Sequence, residues 1–291
     1  MKKEQIKNIA NDFRMLYKSW DKITKTIFYL GLITLISNVI IIIINFNNSI
    51  ISSKAEYQNQ FKALVDHSKV VLPNSLRIIW GNTITFTEIS NFMLSITLII
   101  FAFKKEHQKV QAWFFATITY ITITFVVYWS LVLPSSLDTW KALHLALPSF
   151  FVHAIHPILG FIALFLVRKT IFVKNTQIWM SNLFVLVYFA FALVVFLIGS
   201  QLLDLKNFNG NEEKYQAYRD FNVVIYPFLN FRFPLFYKGD NPGIIFILDL
   251  ILVILAVFLT PALGFMWKGI MRVKQPEGIQ KAKKDKLEKA V

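Results

Sequence analysis

The sequence predicts an all-α, polytopic membrane protein of six transmembrane helices with both termini in the cytoplasm. Three observations predict it. Of the 291 residues 55% are hydrophobic, and they fall in long unbroken runs rather than in the periodic stripes of a soluble core. Six of those runs reach the roughly 20 residues that a helix needs to cross about 30 Å of hydrocarbon. Lys and Arg alternate in abundance between the connecting segments, as a chain that crosses six times requires.

In chain order the runs occupy 26–46, 85–103, 113–133, 144–167, 179–201 and 244–267. Lipid offers the backbone no hydrogen-bond partner, so each run is expected to be a helix that satisfies its own amides. The segments 1–25, 104–112, 168–178 and 268–291 hold seven, three, three and eight Lys and Arg. The segments 47–84, 134–143 and 202–243, longer in total, hold four, one and five. The basic set marks the cytoplasmic side of the cell membrane.

The first 25 residues are too charged for the apolar core of a cleavable signal. Ile6, Ile9, Phe13, Leu16, Trp20 and Ile23 recur there at helical spacing, with Lys3, Lys7, Arg14, Lys18 and Lys22 around them. Such a segment is expected to lie as a helix on anionic lipid or to pack against the cytoplasmic loops. Three units follow: a basic amphipathic helix at 1–25, a six-helix membrane domain at 26–267 and a basic cytoplasmic tail at 268–291. The tail contains the run KKDKLEK. In the third outer segment, YPFLNFRFPLFYKGDNPG is rich in aromatic residues and proline. It is expected to cover the mouth of the bundle or to lie in the interface, and its GDNPG is a turn signal.

Composition narrows the function classes. Cysteine is absent, which excludes disulfides and thiolate metal sites. The net charge of +14 sits beside the apolar runs, which favours membrane lipids over nucleic acid as the partner. No nucleotide-binding loop or cofactor motif is visible, so no cofactor is expected.

Polar residues inside the runs need an explanation, because lipid excludes them. The second run opens TFTEISNF, with Thr85, Thr87, Glu88, Ser90 and Asn91. The fourth holds HLALPSFFVHAIHPILG, with His144, His153 and His156; the fifth carries Asn182 and the sixth Asp249. Each alone has a structural explanation, such as a threonine bonded back to a carbonyl or an imidazole satisfied by a carbonyl that Pro157 frees. Counted from the cytoplasmic ends, Thr87 lies 16 residues up its helix, His153 14 and His156 11. A Thr–His site in the middle-to-outer membrane is therefore geometrically permitted.

FTEISNF, HAIHPILG and IYPFLNF occur in that order within residues 76–250. This set resembles the androgen-induced-gene family of transmembrane threonine hydrolases. It also resembles bacterial six-pass membrane families with F-T-x-x-S-N and Y-P-F-L motifs. The resemblance implies cleavage of lipid esters. It places the nucleophile on Thr87, with Thr85 as a rival, and the catalytic imidazole on His156, the second of the H-x-x-H pair, with His153 as the first. Tyr226 and Pro227 match the family's Y-P pair. Pro157 directly follows the second histidine here, whereas the animal enzymes place their proline several residues later.

The chemistry implied is a threonine hydroxyl activated by a neutral imidazole, which returns the proton to the leaving alcohol. Asp249 or Glu88 would orient that imidazole, and Asn91 would donate to the oxyanion. Three other readings stay open. His153, His156 and Asp249 or Glu88 could ligate zinc. Glu88, the histidines and Asp249 could form an ion path in a transporter or channel. The polar groups could also serve only to lock helices together.

Overall fold

A computed structural model describes residues 2–64, 75–203, 205, 208–220 and 223–276. Its helices, in chain order, are α1 (Lys2–Ser19), α2 (Lys22–Leu64), α3 (Ser75–Thr83), α4 (Phe86–Lys104), α5 (Gln108–Ser135), α6 (Leu143–Val167), α7 (Asn175–Leu202), α8 (Gly210–Asp220) and α9 (Pro242–Met271). Six of them, α2, α4, α5, α6, α7 and α9, are long and apolar enough to cross a membrane. The chain is a multi-pass α-helical membrane protein. The run KKDKLEK lies outside the described residues, as do the side chains of Lys3, Ile6, Lys7 and Ile9.

α4 and α5 form the centre, and the other spans surround them. Leu94, Leu98, Phe101, Phe114, Ile118 and Leu164 are sealed in one apolar core. On the outer helices Ile36, Ile43, Leu183, Val187, Phe246 and Ile247 stay exposed, as lipid-facing side chains should. The backbones of α2 and α4 come close at Gly31, where an added Cβ would sit 2.9 Å from the Ile99 amide nitrogen. Small residues permit such contacts between membrane helices.

The first apolar run ends at position 46, yet α2 continues to Leu64. Residues 47–64 are thus helical, and the 47–84 connection also contains α3. At the other end of α2, Asp21 caps the helix by accepting from the Thr24 amide at 2.7 Å. Lys105 Nζ, on the turn from α4 to α5, bonds the same carboxylate at 2.6 Å, which holds its pKa down at about 2. α1 folds back beside this joint, with the Phe13 ring against Phe28 and Phe103.

At the opposite end, the segment after α8 folds over the bundle. Asn230, fully buried, accepts from the amides of Arg232 and Phe233 and so turns the chain. Tyr215, Tyr218, Phe233 and Phe196 pack beneath it. The expected GDNPG turn leads directly into α9, with Asn241 as its cap and Pro242 in its first turn.

Prolines inside spans set the pattern of lateral bonds. A proline has no N–H, so the carbonyl four residues earlier loses its helical donor. Pro148 does this to His144 O, which accepts from Asn48 Nδ2 of α2 at 3.1 Å. Pro157 does it to His153 O, which accepts from Trp129 Nε1 of α5 at 2.9 Å. Pro261 does it to Val257 O, which accepts from Asn182 Nδ2 of α7 at 2.9 Å. Each kink is thereby bonded to a neighbouring helix.

Replacing Asn182 with Leu strands the Val257 carbonyl and should destabilise the bundle by about 1–3 kcal/mol. In a Pro261→Ala background the backbone supplies the donor itself, so the same substitution should cost far less. Melting temperatures of the four proteins in detergent check this; an equal loss in both backgrounds would contradict it.

Candidate functional site

Thr85 is the N-cap of α4, its Oγ1 accepting from the Glu88 amide at 3.2 Å. Thr85 also lines the cavity beside Tyr226, but its oxygen serves this cap, whereas the Thr87 hydroxyl lies next to an imidazole. Thr87 lies in the first helical turn, where an amide has no partner within the helix. Its N–H donates to Tyr226 Oη at 3.2 Å. Its Oγ1 lies 3.4 Å from Tyr226 Oη and 3.4 Å from His153 Nε2.

The imidazole beside Thr87 is therefore that of His153, not of His156. The cause is a single π turn, Phe151–Ile155, which replaces the α spacing between the two histidines. In an unbroken α-helix residues three apart share a face. The wider turn sends His153 toward Thr87 in the first turn of α4 and toward α5, and His156 toward α2 and Asn91 deeper in α4. Within the turn the His156 amide bonds to Phe151 O, so Val152 O is left for Asn91 Nδ2 at 3.1 Å.

His153 is held on three sides. Its Nδ1 is 2.8 Å from Ser149 O. Ser149 Oγ lies 3.2 Å from the same nitrogen, but the nearer carbonyl has no proton to give, so the proton is assigned to Nδ1 and Nε2 presents a lone pair to Thr87. Its ring stacks on Tyr128, with centroids 3.6 Å apart and planes 9° from parallel. Tyr128 opens a second π turn, Tyr128–Val132 of α5, and its hydroxyl is fixed by Ser149 Oγ at 2.6 Å and by Trp140 Nε1 at 3.0 Å. Two π turns thus face each other across the site. The sequence reading did not include Tyr128, Ser149 or Trp140. Ser149, four residues before His153, was the one with a visible signal.

His156 belongs to a separate, buried relay. Asn91 Nδ2 donates to Thr87 O at 2.8 Å and to Val152 O. Its Oδ1 accepts from His156 Nδ1 at 2.8 Å, and His156 Nε2 accepts from Ser37 Oγ at 2.5 Å. The chain Ser37–His156–Asn91 ties α2, α6 and α4 together directly behind Thr87 and His153. Both amide hydrogens of Asn91 are engaged, so it has none to offer an oxyanion.

Thr87 and His153 lie on the wall of a cavity of about 340 Å³. Its sides are Val127, Leu131, Val185, Leu252, Leu255 and Leu259, and its polar end holds Asn45, Asn82, Thr87, Glu88, His153 and Tyr226. Glu88 is 5% exposed and its Oε2 has no hydrogen-bond partner among the described residues. Asp249 does not line this cavity and sits apart on α9; His144 is exposed at the start of α6. Among the described residues no three His, Asp or Glu side chains gather to hold a metal ion, and the two histidines turn to different partners.

Compared with protein-family models, curated proteins and solved structures, the chain matches none.

Asn91→Leu removes the partners of both Val152 O and His156 Nδ1, each worth about 1–3 kcal/mol when left unpaired in the interior. Ser37→Ala removes one. The melting temperature should therefore fall further for Asn91→Leu than for Ser37→Ala, and the reverse order would contradict the relay.

Proposed function

We propose that this protein is an intramembrane hydrolase of lipid esters in which Thr87 is the nucleophile and His153 the general base. One observation carries the reading: the Thr87 hydroxyl, the His153 lone pair and the Ser149 carbonyl form a line at the wall of an apolar cavity. A hydroxyl, a base and a group that orients the base are the minimum for nucleophilic acyl transfer. Here the orienting group is a main-chain carbonyl in place of a carboxylate.

In the proposed reaction Thr87 Oγ1 attacks the ester carbonyl as its proton passes to His153 Nε2. The imidazolium then protonates the departing alcohol, leaving an acyl-threonine. Water enters, His153 takes its proton, and the fatty acid leaves with Thr87 restored. Tyr226 Oη accepts from the Thr87 amide and has its own proton to turn toward the oxyanion. A cavity of this size accommodates an acyl chain, since ligand pockets span about 300–1,000 Å³. The distribution of Lys and Arg supports a site in the half of the membrane away from the cytoplasm. The motif order FTEISNF, HAIHPILG, IYPFLNF supports the same chemistry by resemblance, with the base moved from His156 to His153.

Labelling of membranes with a fluorophosphonate probe tests this. Thr87→Ala and His153→Ala should each reduce labelling at least about 100-fold, the usual contribution of a nucleophile–base pair. Thr85→Ser, which keeps the cap, should label as the wild type does. Undiminished labelling of both the Thr87 and His153 variants would reject the mechanism.

A further inference from the structure

Glu88 has no part in the mechanism above, yet among the described residues it is the one acidic side chain on the cavity wall. It is almost fully buried and Oε2 has no hydrogen-bond partner among the described residues. Among the described residues no Lys or Arg lines the cavity. The nearest basic group there, His153, has Nδ1 committed to Ser149 O and Nε2 turned to Thr87. The N-terminus of α4 favours a nearby carboxylate but supplies no counter-ion. Buried acids are normally paired or fully hydrogen-bonded.

The rest of the wall has a matching character. Six aromatic rings line it: Phe86, Tyr128, Tyr188, Phe189, Tyr226 and Phe228. Aromatic faces carry partial negative charge and attract ammonium groups, and cages of such rings are how proteins hold quaternary ammonium ligands. A buried carboxyl oxygen without a partner and a wall without Lys or Arg, both among the described residues, together with several rings and a greasy extension, define one kind of complement.

We propose that the cavity takes an amphiphile whose polar end carries an ammonium or protonated amine, with Glu88 as its counter-charge and the aromatic wall as its surround. The inference goes beyond ester cleavage, because it concerns what the cavity holds whether or not Thr87 acts on it. Where both readings are true, the substrate is a lipid ester bearing a cationic group.

The test uses the purified full chain in maltoside micelles with radiolabelled tetradecyltrimethylammonium, read by scintillation proximity. Wild type should bind it saturably. Unlabelled tetradecylamine should displace it at least tenfold more effectively than tetradecanol or tetradecyl sulfate of the same chain length. Glu88→Gln keeps the side-chain shape and should weaken ammonium binding at least tenfold without lowering the melting temperature. Phe228→Leu, a change in the covering segment, should weaken ammonium binding several-fold while leaving displacement by tetradecanol unchanged. These ligands carry no ester, so their binding is read whether or not the protein cleaves esters, which separates this outcome from the fate of the hydrolase reading. Absence of saturable binding, equal displacement by the alcohol, or full binding by a folded Glu88→Gln protein would overturn the proposal.

Discussion

Every backbone carbonyl inside a membrane must find a donor within the protein, and in this chain that constraint shapes the bundle more than any other. Pro148, Pro157 and Pro261 each withdraw one donor, and in each case a side chain from another helix replaces it. The replacements, Asn48, Trp129 and Asn182, are polar groups that lipid would otherwise exclude. Their burial and the kinks explain one another. Apolar packing around Leu94, Leu98 and Phe114 fills the interior, but it has no direction. The hydrogen bonds fix which helix faces which.

The candidate site is an outgrowth of the same lattice. Pro157 and the π turn before it leave Val152 O and His153 O without helical donors, and Asn91 and Trp129 take them from opposite sides. The segment bearing His153 is thereby clamped between α4 and α5 at the level of Thr87. π turns tend to occur at functional sites because the added residue re-aims a side chain. Here the re-aiming separates two histidines that an ordinary helix would place together. One meets a hydroxyl at the cavity and the other is sealed behind it with Ser37 and Asn91.

Much of this was legible in the residues, and the parts that were not have physical causes. The spans were readable because hydrophobic runs of sufficient length have one solution in lipid. The continuation of α2 to Leu64 was not, since helix in a mixed polar segment rests on small propensities and carries no strong pattern. Thr87, Glu88 and Asn91 stood out as polar groups where none should be. Which histidine Thr87 would meet could not be read from spacing, because i and i+3 imply a shared face only in a regular helix. Pro157 was the available hint of irregularity, and the depth of Thr87 already matched His153 better than His156. The engagement of Asn91 with two carbonyls depends on where α6 lies against α4, which local sequence does not encode.

The order of these lateral bonds along the chain has a further consequence. Asn48 precedes Pro148, Trp129 and Asn91 precede Pro157, and Asn182 precedes Pro261. In every pair the donor is translated before the kinked segment that relies on it. A ribosome delivering this polypeptide from its N-terminus would thus release each proline-bearing span into a bilayer where its mate already waits. The exposed carbonyl need never be stranded during biogenesis, and the bundle can close span by span.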